Sequence, residues 1–151
     1  VAKLLAAVRI RRGYRTAQGT ETVDTPNYYI TQATFTDGQG GGRLCLIATD
    51  AFGLLDLWHP VEPIVWYGRS IRWLLEEICS RVGLVALDTG VTSLGITLPH
   101  FAIYPQQSGL AAVRTLLRLG QAVARASAND ALAILTFPGT DATWPEIGIH
   151  G

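Results

Sequence analysis

Apolar and polar residues alternate loosely from Leu4 to Arg12 and give way at Gly13-Tyr14, which predicts a strand followed by a turn around Gly19. Tyr28 to Phe35 is rich in aromatic and β-branched residues and predicts a second strand. The glycine-rich stretch Asp37 to Gly42 then turns the chain into a returning strand, Arg43 to Thr49, so the pair reads as a hairpin. Asp50 is placed to cap a short helix over 51–58 that His59-Pro60 stops. Ile64 to Tyr67 reads as a brief extended piece.

The clearest periodicity follows. Ile71, Leu74, Leu75, Ile78, Cys79 and Val82 recur at the spacing of one helix face, with Ser70 as N-cap and Gly83 just past the end. Arg72–Glu76 and Glu77–Arg81 pair at i,i+4 on the opposite face. Leu84 to Leu87 predicts a strand, and a β segment follows from Ile96 to Tyr104. Ser108 caps a second helix, Gly109 to Leu119, whose inward positions are Leu110, Val113, Leu116 and Leu117. Gly120 closes it, and Arg114 and Arg118 share its outer face. Segments 122–126 and 131–137 then flank Ser127 to Asp130 as a hairpin. The order helix, glycine, strand thus occurs twice, at Gly83 and at Gly120. Together these elements predict an α+β fold in which antiparallel strands and hairpins pack against two main amphipathic helices. The expected organisation is a single domain over 1–137 with an irregular tail or linker over 138–151.

Composition narrows the role. Of 151 residues, 48% are hydrophobic and 16% charged, against about a quarter charged in an ordinary domain. A mean hydropathy of +0.25 excludes a disordered tail and implies a surface that meets something besides water. Twelve basic residues balance twelve acidic ones, so no global field gathers nucleic acid or an anionic membrane. No apolar run approaches the roughly 18 residues of a membrane helix. The chain begins at Val1 and contains no Met, which suggests a piece of a longer or trimmed polypeptide. Eleven arginines against the single Lys3 read as base composition rather than as a binding device. Cys45 and Cys79 both read as small buried hydrophobes, with a bridge between them left open.

Candidate chemistry is sparse. The glycines at 38–42 precede a strand, not a helix N-terminus, so a phosphate cradle is not expected. His59, His100 and His150 stand apart without ligand spacing, and no metal or cofactor is expected. No nucleophile elbow or Cys–His neighbour occurs, and Asp50, Asp56, Glu76 and Glu77 form no local acid–base pair. Arg9, Arg11, Arg12 and Arg15 lack the interleaved aromatics of a nucleic-acid platform. Catalytic residues are therefore not expected.

The aromatic residues point elsewhere. Trp58, Trp66, Tyr67 and Trp73 crowd into a short span, and Trp73 lies off the apolar stripe of its helix. Three readings stand open: a subunit interface, a loop folded over Trp73 within the domain, and a carbohydrate platform.

Trp66-Tyr67-Gly68-Arg69-Ser70, the helix after it and Val82-Gly83-Leu84 resemble a unit of bacteriophage tail hub proteins. So does the run from Tyr104-Pro105-Gln106-Gln107-Ser108 through Leu119-Gly120-Gln121-Ala122 to Leu132-Ala133-Ile134. Gly13-Tyr14 and the stretch Leu46 to Leu55 are similar to that family's strand-to-helix junctions. The resemblance covers residues 8 to 137; Pro105 and the absence of an acidic residue after Ser108 depart from the pattern. It implies a structural, non-enzymatic domain of a tail hub or tail-associated protein. The expected location is a virion or tail-like particle, and the expected partners are sister subunits, in a trimer, or neighbouring tail proteins. The alternative is a hydrolase, or a glycan-binding accessory domain of a larger enzyme.

Overall fold

The computed structural model of the protein describes residues 6–38, 41–88 and 90–136. The segment 138–151, expected to be a tail or linker, lies outside them, as do the first residues of the expected first strand.

The chain opens with an antiparallel meander of β1 (Ala7–Thr16), β2 (Gly19–Thr36) and β3 (Arg43–Thr49), in that order across the sheet. β1 does not stop at Gly13-Tyr14, and β2 starts at Gly19 rather than Tyr28. The reason lies at Pro26. Proline has no N–H for a ladder, but the register shifts between Arg9 and Arg11 just opposite Thr25-Pro26, and that irregularity absorbs it. The tight turn between the strands is held by Thr16, whose Oγ1 donates to the Gly19 carbonyl at 2.9 Å.

Asp50 caps α1 (Ala51–Leu57), its carboxylate accepting the N–H groups of Phe52 at 3.0 Å and Gly53 at 3.2 Å. Then come β4 (Ile64–Ser70), α2 (Ile71–Arg81), β5 (Val85–Asp88), a 3-10 turn over Thr92–Gly95, β6 (Thr97–Ile103), α3 (Gly109–Leu119), β7 (Ala122–Ser127) and β8 (Ala131–Thr136). Ser70 and Ser108 each accept the backbone N–H three residues on, at 3.2 Å, starting α2 and α3 alike.

The repeated helix–glycine–strand unit is in fact a strand–helix–strand unit, β4–α2–β5 and β6–α3–β7. β4 and β6 pair antiparallel, while β5 and β7 flank β8 on either side. β5 runs parallel to β8 and β7 antiparallel to it, so β5 and β7 run in opposite senses, as a two-fold rotation would place them. The parallel β5–β8 pair departs from a purely antiparallel expectation. It is possible because the whole second unit serves as the crossover between its strands.

The core lies between the two units. Ile71, Leu74, Leu75 and Ile78 of α2 meet Val113 and Leu116 of α3 above β8, where Ala131, Leu132, Ala133 and Ile134 are all buried. Gly83 takes φ +80°, a left-handed conformation that a Cβ would strain. Gly120 works differently: its φ is −82°, and the left-handed residue is Gln121. Glycine is needed at 120 for space, since a Cβ there would lie 2.8 Å from Leu94 Cδ2. Glu77 and Arg81 pair at 2.6 Å, but Arg72 turns from Glu76 to Asp88, at 2.5 Å, because β5 returns beside the start of α2.

Both cysteines are free. Cys79 is fully buried in the core, its thiol pKa pushed up to about 12 by burial, whereas Cys45 is exposed, contrary to its apolar surroundings in the sequence.

Leu116 is fully buried in the core cluster, so Leu116→Ala should lower stability by about 2–5 kcal/mol in urea denaturation, with an unchanged slope.

Candidate assembly surface

The exposure of Cys45 is one instance of a wider fact: among the described residues, 9–23, 31–38 and 41–48 of the meander are exposed on both faces. Pairing of β2 with β3 puts Ala33, Phe35, Leu44 and Leu46 on one face and Thr34, Cys45 and Ile47 on the other. Phe35 is 68% exposed and Leu44, directly opposite it, 60%; on the reverse face Ile47 is 53% exposed. Gly42 lets the Phe35 ring lie over the turn, where a Cβ would come within 2.6 Å of it. Nearer the first turn, Tyr14 and Val23 are diagonal neighbours on one face, and both stand in solvent. A single exposed apolar residue needs no explanation, but a two-sided sheet of them is a candidate contact surface.

The two edges differ. β1 carries Arg9, Arg11, Arg12 and Arg15, the kind of charge that discourages a further strand from pairing. β3 carries charge only at Arg43 and, among the described residues, pairs on one side only, leaving its outer edge open there.

A polar cluster ties the meander to the body, beside the packing of β2 and β3 on α1. Asn129 and Asp130 adopt left-handed conformations, φ +61° and +57°, in the β7–β8 turn, which Asn and Asp tolerate better than most residues. The Asp130 carboxylate accepts the Tyr29 hydroxyl at 2.5 Å and the Asn27 amide at 2.8 Å. Arg9 closes the cluster through Asn27 and Asn129, each at 3.3 Å. The hydrogen bonds from Tyr29 and Asn27, with the Arg9 charge, hold the Asp130 carboxyl below the usual carboxylate range. Burial, then the bond to Asp130 and its charge, push the Tyr29 phenol up. The Asp130 carbonyl also accepts the Val85 N–H at 2.9 Å, so the same turn starts β5.

The four aromatic residues singled out in the sequence are only partly brought together. Trp66 and Trp73 meet edge-on at 6.4 Å, and Trp66 stacks on Phe101 at the same distance. Arg69 lies 4.6 Å from the Trp73 ring and Arg81 5.7 Å from Trp66. These two tryptophans are half-buried against the core. Trp58 lies apart from them: its carbonyl accepts the Gly109 N–H at 2.9 Å, and its ring sits where a Gly109 Cβ would be. Tyr67 alone stands out, 74% exposed on the outer face of β4, across from His100.

The remaining polar candidates play local parts. Asp56 accepts the Ser108 hydroxyl at 3.0 Å and so ties α1 to the α3 cap. His59 and His100 are both exposed and lie on separate elements, and His150 is outside the described residues. Among the described residues no group of three or more His, Cys, Asp or Glu is arranged to hold a metal ion, and no helix is long and apolar enough to cross a membrane.

No family model and no curated protein matches the chain. Its fold resembles that of the 43 kDa tail protein of prophage MuSo2 from Shewanella oneidensis, with a TM-score of 0.57 and 9% sequence identity. The match covers 87% of this chain and 45% of that one, so the chain spans less than half of that protein's length. At such identity the likeness is one of fold.

Asp130 has its folded pKa lowered, so the stability it contributes is present above the unfolded value, 3.8, and is lost as pH falls through the folded one. Asp130→Asn keeps the left-handed preference and should cost about 1 kcal/mol at pH 7 in urea denaturation. That difference should shrink towards zero as the pH is taken well below 3.8.

Proposed function

We propose that this chain is a structural, non-enzymatic domain of a phage- or prophage-type tail hub or tail-associated protein, assembled with sister subunits as a trimer through the β1–β3 meander. The observation that carries the reading is the two-sided apolar sheet with its open β3 edge. Low overall charge and the fold likeness to a prophage tail protein support it. On this reading the domain works in a virion or tail-like particle, without cofactor.

Magnitudes favour contact over exposure. Fully burying a side chain of the size of Phe, Leu or Ile is worth about 1.5–3 kcal/mol. Phe35, Leu44, Leu46 and Ile47 together therefore offer what a small set of interface anchors supplies. Tyr67 and Val65, neighbours on the outer side of β4, add a second contact. Trp66 and Trp73 brace that strand from beneath, and Trp58 sets the start of α3.

Light scattering after gel filtration of the chain should give three times its 16.3 kDa mass. Phe35→Asp with Leu44→Asp should return it to a monomer that keeps its far-ultraviolet circular dichroism, since both side chains are exposed and outside the core cluster. A wild-type monomer at every concentration would contradict the reading. If saccharides also quenched its tryptophan fluorescence, a glycan-binding accessory domain would take its place.

A further inference from the structure

A closed ring of three identical subunits is held by a head-to-tail interface, in which each copy offers one patch to one neighbour and a different patch to the other. With the meander as the first patch, the second lies either on another part of the next meander or on the next body. Charge decides between the two. From Ala7 to Thr49 the meander carries five arginines against three carboxylates, so meander on meander opposes like charges. The segment that follows is the reverse: from Asp50 to Tyr67 the chain has three carboxylates and neither lysine nor arginine.

That segment also builds a receiving shape. Between the end of α1 and β4, the run Trp58 to Val65, together with Arg81, lines an open hollow of about 620 Å³. Pro60 and Pro63 fix φ on either side of Val61, so this loop enters a contact with little ordering left to lose. Val61 is 94% exposed, and both it and Val65 line the hollow. Tyr67 follows Val65 on the same outer face of β4. Glu62 brings its charge to the wall of the hollow. The two nearest arginines are otherwise engaged, Arg81 by Glu77 at 2.6 Å and Arg69 over the Trp73 ring at 4.6 Å. Among the described residues, exposed apolar side chains and a surplus of negative charge thus meet at one preformed hollow outside the meander.

From this complementarity we propose that the hollow and the outer face of β4 receive the meander of the neighbouring subunit. Each copy then gives its meander on one side and its 58–67 surface on the other. Phe35, Leu44 and Leu46, which share one face of the β2–β3 hairpin, lie against Val61, Val65 and Tyr67 of the next copy. The net positive meander faces the net negative segment. The inference rests on the trimer proposed above and names the surface of the sister subunit that completes it.

The test is complementation between two defective chains, read by light scattering after gel filtration. Val61→Arg with Tyr67→Arg spoils the receiving surface and should leave a monomer with the wild-type far-ultraviolet circular dichroism, both side chains being exposed. Phe35→Asp with Leu44→Asp spoils the meander. An equimolar mixture of the two should give a dimer, twice the 16.3 kDa chain mass, and no trimer. One intact meander then finds one intact receiving surface, and the ring cannot close. The mixture is followed to a hundredfold above the concentration at which the wild type assembles, since a dimer has one contact where each ring member has two. Glu62→Lys alone should raise the concentration of half-assembly at least threefold. A trimer that survives Val61→Arg with Tyr67→Arg, a mixture that stays monomeric, or indifference to Glu62→Lys would overturn this inference and leave the trimer standing. A wild-type monomer would instead remove the trimer, and this pairing with it.

Discussion

One turn, Asn129-Asp130, holds the described part of the molecule together. Its left-handed backbone closes the β7–β8 hairpin, its carbonyl receives Val85 and starts β5, and its carboxylate receives Tyr29 and Asn27 from β2. Two sheets are therefore fixed to one residue. The meander has little other purchase on the body: of its long strand β2, only Tyr29 is buried in the core cluster. A hydrogen bond to a carboxylate is stronger than one between neutral groups, and here the carboxylate is partly shielded from water and accepts from two donors, Tyr29 and Asn27, with the Arg9 guanidinium nearby. The anchor sits at one end of the sheet and leaves the rest free to be met by something else.

That division of labour gives the chain two distinct parts. The body is a conventional core, two helices over a buried central strand, with the strand–helix–strand unit used twice in opposed orientations. It is stable for ordinary reasons: close-packed aliphatic side chains, capped helices and tryptophans that fill the flanks. The meander has no such core. Outside the rows around Tyr29, its large apolar side chains stand exposed on both faces, which is the observation behind the proposed contact surface. The aromatic cluster belongs to the body. Trp66 and Trp73 earn their place by packing on each other and on Phe101, under two arginines, rather than by facing outward.

How much of this could be read beforehand depended on whether the signal was local. The helix at 71–81 was legible because its apolar spacing, its Ser70 cap and its terminal glycine all agree, and the same held for 109–119. The α+β class followed from those helices and the hairpins before and after them. The long β2 was not legible, because Pro26 argues against a strand unless the register shift opposite it is known. Nor was the exposure of Leu44 to Ala48 predictable from pattern: a continuous apolar strand looks alike in sequence whether the chain's own core covers it or not. The Asp130 anchor joins residues some hundred positions apart, and no spacing in the sequence announces such a contact. Arg72 chose Asp88 over Glu76 for the same reason, a partner that only the fold brings near.

The central claim is that the uncovered meander is uncovered only in the isolated subunit. Cys45 sits on that sheet and is exposed, while Cys79 is sealed in the core and serves as the silent internal control. The rate of alkylation of Cys45 by iodoacetamide, followed by mass spectrometry over a hundredfold range of protein concentration, reports on the cover directly. The account predicts a rate that falls at least several-fold as the chain assembles, with Cys79 unmodified throughout. A Cys45 rate that stays constant while the chain demonstrably oligomerises would contradict it.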